Sequence, residues 1–181
     1  MNSRIHVMRS GPPLVYRRRR FQPVQCAGNA QVNTTEKVIM LGRKDYTDEE
    51  IKAASTAMYA QLAAYKKLAS AVDKSTSDSA RSALETFEPI FLNNLILALD
   101  RFFVHRVRMV TGKDGNPLNE VELLVDSLMN NDGVLRGNNV IKLTPEDSVL
   151  KLNVGDRITL TSDDFERLCE AFLAEVEAKF S

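Results

Sequence analysis

Past residue 46, apolar positions recur at helical spacing along most of this chain. Ile51, Ala54, Met58, Leu62, Tyr65, Leu68 and Val72 make one face of a first helix. Thr47 and Glu50 supply a capping box at its start, with Tyr46 and Ile51 placed as a hydrophobic staple. A second helix is expected from near Ser77 through Leu84 and Phe87. Pro89 should kink or break it, because proline lacks a backbone donor and clashes with the preceding turn.

Residues 90–110, IFLNNLILALDRFFVHRVRMV, form the most apolar run. On a helix, Phe91, Leu92, Leu95, Ile96, Leu99, Phe102, Phe103, Val107, Met109 and Val110 fill a wide arc. An arc that broad predicts a helix packed on several sides. The run is long enough to span a bilayer. Asp100, Arg101, His105, Arg106 and Arg108 interrupt it, so a core helix is expected, ending at Gly112. Arg106 points into the apolar arc. An unpaired buried guanidinium is very costly, so either an acid meets it or the helix frays before it.

Asn116 is placed to cap a further helix with Pro117 at its first position. Its apolar face is Leu118, Val121, Leu124, Val125, Leu128 and Met129. The pattern then changes to alternation. Residues 140–144, 148–152 and 157–161 read as extended segments, with a turn at 153–156 closing a β-hairpin. A last helix, capped by Thr161 or Ser162, carries Phe165, Leu168, Cys169, Phe172, Leu173 and Val176 on one face. The expected fold class is therefore α+β: mainly a helical bundle around a central apolar helix, with a C-terminal β-hairpin and a final helix.

Charge adds an asymmetry. The 181 residues hold 24 Lys and Arg against 24 Asp and Glu, so no net charge pulls the chain toward nucleic acid or membrane. Residues 1–39 alone carry seven basic side chains and one acid, roughly +6, which leaves roughly −6 for the rest. With Pro12, Pro13, Pro23 and the run 17–20 of arginines, this leader is expected to be disordered. It resembles a transit peptide in composition, or a basic arm for nucleic acid. Met40 opens organised sequence and is a candidate natural start, with residues 40–181 as a single globular domain. Cys26 and Cys169 offer no disulfide framework; Cys169 reads as a buried free thiol.

Candidate chemistry is sparse. Gly112-Lys113 matches the end of a phosphate-binding loop, but Asp114 stands where Ser or Thr must hold magnesium. Asn130, Asp132 and Gly133 match part of a calcium loop whose first and last positions, Leu128 and Asn139, lack charged ligands. A Cys169–His105 dyad is weak, since a cysteine on an apolar helix face is usually packing. No metal site, cofactor or catalytic residue is assigned. The stripe Arg101, His105 and Arg108 is the one candidate ligand site. It is either an anion pocket for carboxylate or phosphate, or a set of ion pairs to Asp100, Glu120, Glu122 and Asp126.

From MLGRKDYTDEEI onward, and around DRFFVHRVRMVTGKDGNPLNEVELL, the chain resembles a family of bacterial proteins of unknown function. The resemblance covers about residues 40–181, implies a cytoplasmic bacterial protein, and transfers no functional residue. The expected function is a non-enzymatic interaction or assembly module, working as a homodimer or with a protein partner and without a membrane. Self-association would follow from an exposed hairpin edge. The alternative is a small-anion binding protein or enzyme using Arg101, His105 and Arg108. Nucleic acid enters only through the basic leader.

Overall fold

The computed structural model describes residues 42–75 and 77–181. The expected leader at 1–39 and the candidate start at Met40 lie outside the described residues. Helix α1 (Asp48–Asp73) opens as its sequence requires. The Glu50 N–H donates to Thr47 Oγ1 at 3.3 Å, and the Thr47 N–H donates to Glu50 Oε2 at 3.0 Å. Tyr46 and Ile51 are both buried at this end. The Tyr46 ring meets Phe103 and Phe180 edge-on, and its N–H donates to the Phe180 carbonyl at 2.6 Å.

Helix α2 (Asp78–Phe102) covers only the first part of the apolar run. It passes through Pro89 without a break. The carbonyl left without its donor belongs to Glu85, an exposed residue, where water can serve it. The helix then stops at Phe102, well before residue 110. Arg106 explains the stop, because a helix continued to that point would drive its guanidinium into the apolar arc. The chain turns instead, and Arg106 Nη1 reaches Asp100 Oδ1 at 2.7 Å and the Phe103 carbonyl at 3.1 Å. Arg106 Nη2 reaches the Leu118 carbonyl at 3.3 Å. Residues Arg108–Thr111 form only a short helix, α3.

Helix α4 (Pro117–Asn130) has Asn116 Oδ1 accepting from the N–H groups of Leu118 and Asn119, as an N-cap should. Helix α5 (Ser162–Phe180) begins with a capping box between Thr161 and Asp164. Helices α2 and α5 each pack on the other and on both α1 and α4. The more enclosed of the two is α5, on which Phe165, Leu168, Cys169, Phe172, Val176 and Phe180 are all buried. On α2 the buried set is Leu92, Leu95, Ile96 and Leu99, while Phe87, Ile90 and Phe102 stay exposed. No helix among the described residues is long and apolar enough to cross a membrane.

The α+β expectation fails: the described residues are helical, with three isolated bridges and no sheet. The turn at 153–156 does form, with the Asp156 N–H on the Asn153 carbonyl and Gly155 at φ 101, a conformation glycine accepts freely. Its flanks do not pair with each other, because their N–H groups are taken elsewhere. Val149 and Leu150 donate to the Glu120 carboxylate, Lys151 to Ser148 Oγ, and Asn153 to Asp156 Oδ2. Ile158 donates to the Gly133 carbonyl, and Leu135 to the Asp156 carbonyl. Side chains and the 133–135 segment thus supply what a hairpin ladder would have supplied.

A candidate docking cleft beside helix α3

Arg101, His105 and Arg108 share a stripe only on a helix running unbroken from 101 to 108. The stop at Phe102 separates them. Arg101 sits in the last turn of α2, His105 in the turn beyond it and Arg108 at the start of α3, all three exposed. The His105 carbonyl accepts the Arg43 N–H at 2.5 Å, and the Val107 N–H donates to the Arg43 carbonyl at 3.0 Å. Gly42 makes this crossing possible, since a Cβ there would lie 2.7 Å from the His105 oxygen. Arg108 pairs with Glu122 of α4 at 2.7 Å.

Arg108 also borders a half-open cleft of about 330 Å³, whose lining residues do not include Arg101 or His105. Met109 of α3 forms one lip and is 93% exposed. Val140 forms the other at 52%, with Ile141 buried beside it. Thr111 and Asn119 are buried at the base, and Lys113 stands at the edge.

Local bonds fix each of these parts. Asn138 Oδ1 accepts from the N–H groups of Val140 at 2.8 Å and Ile141 at 2.6 Å, turning that lip inward. The Lys142 N–H donates to the Lys113 carbonyl at 2.7 Å and ties the lip to the α3–α4 connection. Asn119 Nδ2 donates to the Asp114 carbonyl at 2.8 Å. The Thr111 carbonyl accepts from Asn116 Nδ2 at 2.6 Å and from Lys179 Nζ of α5 at 3.1 Å. In the first turn of α4, Glu120 is 2% exposed and holds the Val149 and Leu150 N–H groups at 2.7 and 2.9 Å. Burial raises its pKa, while those two bonds and Lys151 pull it down.

Asn119 Nδ2 and both oxygens of Thr111 are thus spent on internal bonds, and what faces the opening is mostly apolar. Lys113 and Lys142 have no carboxylate within ion-pair distance among the described residues. The Arg108–Glu122 pair is open on the arginine side, 74% against 21% exposed, so water screens it. Cys169 lies buried on α5 with its thiol pushed up to about 12 by burial, while His105 sits at the surface. A thiol in that state is not a nucleophile. Among the described residues no group of three His, Cys, Asp or Glu is placed to hold a metal ion.

Sequence reasoning passed over Asn119 and Ser127, and offered Glu120 only as an ion-pair partner; all three are buried on α4. Their polarity hid them, although Glu120 and Ser127 flank Leu124 at helical spacing and so had to share its side. Comparison of the chain with protein-family models, with curated proteins and with solved structures gave no match.

Proposed function

We propose that the protein is a non-enzymatic interaction module that docks a protein partner through the cleft beside α3. The observation that carries this reading is Met109. A methionine 93% exposed at the lip of an apolar cleft has no packing role within its own domain. Methionine is flexible and polarizable, which suits it to binding surfaces that adapt to a partner. Val140 on the opposite lip extends the apolar rim. A cytoplasmic setting belongs to the same reading, with which the free thiol of Cys169 is compatible.

The alternative, an anion site on Arg101, His105 and Arg108, has less support. Those side chains stand on three different supports, and Arg108 is already engaged by Glu122. Self-association through a hairpin edge has lost its premise with the hairpin. A second copy of the chain therefore enters as one outcome of the test.

The test places a photo-reactive residue at position 109 in the cell of origin. A discrete covalent adduct is expected, and Val140→Glu should abolish it while leaving the circular dichroism unchanged. Absence of an adduct, or the same adduct from a probe at position 49 on α1, overturns the reading.

A further inference from the structure

We infer that the cleft's occupant is a short acidic segment of a partner protein presenting one bulky apolar side chain. The inference rests on the docking reading above and names its partner. Size comes first. At about 330 Å³ the cleft lies at the lower end of the range for small-ligand sites. It holds one large side chain, not a helix face, which needs a longer groove with several anchors. Its buried wall, Ile141, and its two lips, Met109 and Val140, are apolar, so the inserted group is aliphatic or aromatic.

Charge then fixes the flanks. Arg108 and Lys113 border the opening, and Glu122 is the acid of the lining, occupied with Arg108. Lys142, although it follows Ile141, lines a separate hollow with Asp114 and Asp147. Lys113 is thus the lysine of the rim, with no carboxylate in ion-pair distance among the described residues. A segment carrying Glu or Asp beside its anchor would place a carboxylate against Lys113, while a basic segment would meet like charge there. Complementary rims of this kind select partners and speed association more than they deepen affinity. The apolar anchor supplies burial, and the acids supply choice.

The experiment follows the Met109 methyl resonance of the full-length protein on addition of blocked peptides at low salt. The probes are Glu-Glu-Phe-Glu-Glu, Gln-Gln-Phe-Gln-Gln, Lys-Lys-Phe-Lys-Lys and Glu-Glu-Ala-Glu-Glu. The acidic phenylalanine peptide should bind about fivefold tighter than the glutamine one, from one exposed ion pair of ordinary strength. That advantage should shrink as salt is raised. It should vanish in a Lys113→Glu variant, the position being exposed and outside the core. Equal binding of the acidic and glutamine peptides, or tighter binding of the lysine peptide, overturns the acidic assignment. Equal binding of the alanine peptide overturns the anchor. If no peptide moves the Met109 signal, the named occupant is wrong, and the crosslink at position 109 separately decides whether the cleft docks a protein.

Discussion

Asp100 and Arg106, six residues apart, meet at 2.7 Å across the turn that ends α2, with side chains only 15% and 6% exposed. The pair satisfies a guanidinium that the apolar arc could not hold, and the Phe172 ring lies 5.6 Å from the guanidinium carbon. Removing one partner from a buried pair leaves the other charge uncompensated. Asp100→Ala is therefore expected to cost about 3–5 kcal/mol, seen as a lower urea midpoint at unchanged slope. The matching change at the exposed Arg81–Asp78 pair, Asp78→Ala, should cost under about 1 kcal/mol. A loss that small at Asp100 would mean that the carbonyls of Phe103 and Leu118 hold Arg106 unaided.

Glu120 clasps the 148–150 segment by two backbone bonds. Glu120→Ala orphans both N–H groups and is expected to cost about 2–4 kcal/mol. Hydrogen exchange should speed up first at Val149 and Leu150. Unchanged exchange there would show that Lys142 on Lys113 holds the segment by itself.

The same group sets a pH dependence. Burial raises the Glu120 pKa above 4.5, so the folded state holds this proton more tightly than the unfolded chain. Its contribution is full below 4.5 and is lost as pH rises through the raised value. Relative to Glu120→Gln, the native sequence should lose stability as pH rises from 4.5, in denaturation series run at stepped pH. A difference that stays flat with pH would contradict this.

Glu50 shifts the other way. The Arg43 guanidinium and the Thr47 N–H hold its carboxyl down to about 2. Its stabilising contribution is present above 4.5 and disappears as pH falls through about 2. Carboxyl NMR titration should show Glu50 as depressed, and Arg43→Ala should move it up without reaching the ordinary range, because the Thr47 bond remains.

Cys169 should resist modification. Burial pushes its thiol up to about 12, so a thiol reagent should reach it only when α5 comes away from the core. Mass mapping of the labelled site under native conditions and in urea checks this. Rapid native labelling at Cys169 would mean that the helix opens locally.

The ends of helices were legible where side chains cap them, as at Thr47, Asn116 and Thr161, because capping is local and needs only a few residues. The apolar face of α5, and that of α1 as far as Tyr65, were legible for the same reason, as period selects them; Leu68, on the same α1 face, is exposed. The run at 90–110 misled because its helical arc took in Phe102 and Met109 as core. Both are exposed, and Arg106 between them ends the helix. Alternation at Ile158 and Leu160 did mark buried residues. It could not reveal that Glu120, some thirty residues upstream, would take the N–H groups of the intended partner strand. The cleft was out of reach because its two lips lie far apart in sequence and are joined through the backbone bond of Lys142 to Lys113.

The bond from Tyr46 to Phe180 brings the entry and the exit of the helical body side by side. A unit arranged so can be spliced into a loop of a host protein without stretching either. It can also be rewired, with the tail linked to residue 46 by a few glycines and the chain opened at the exposed residues 137–139.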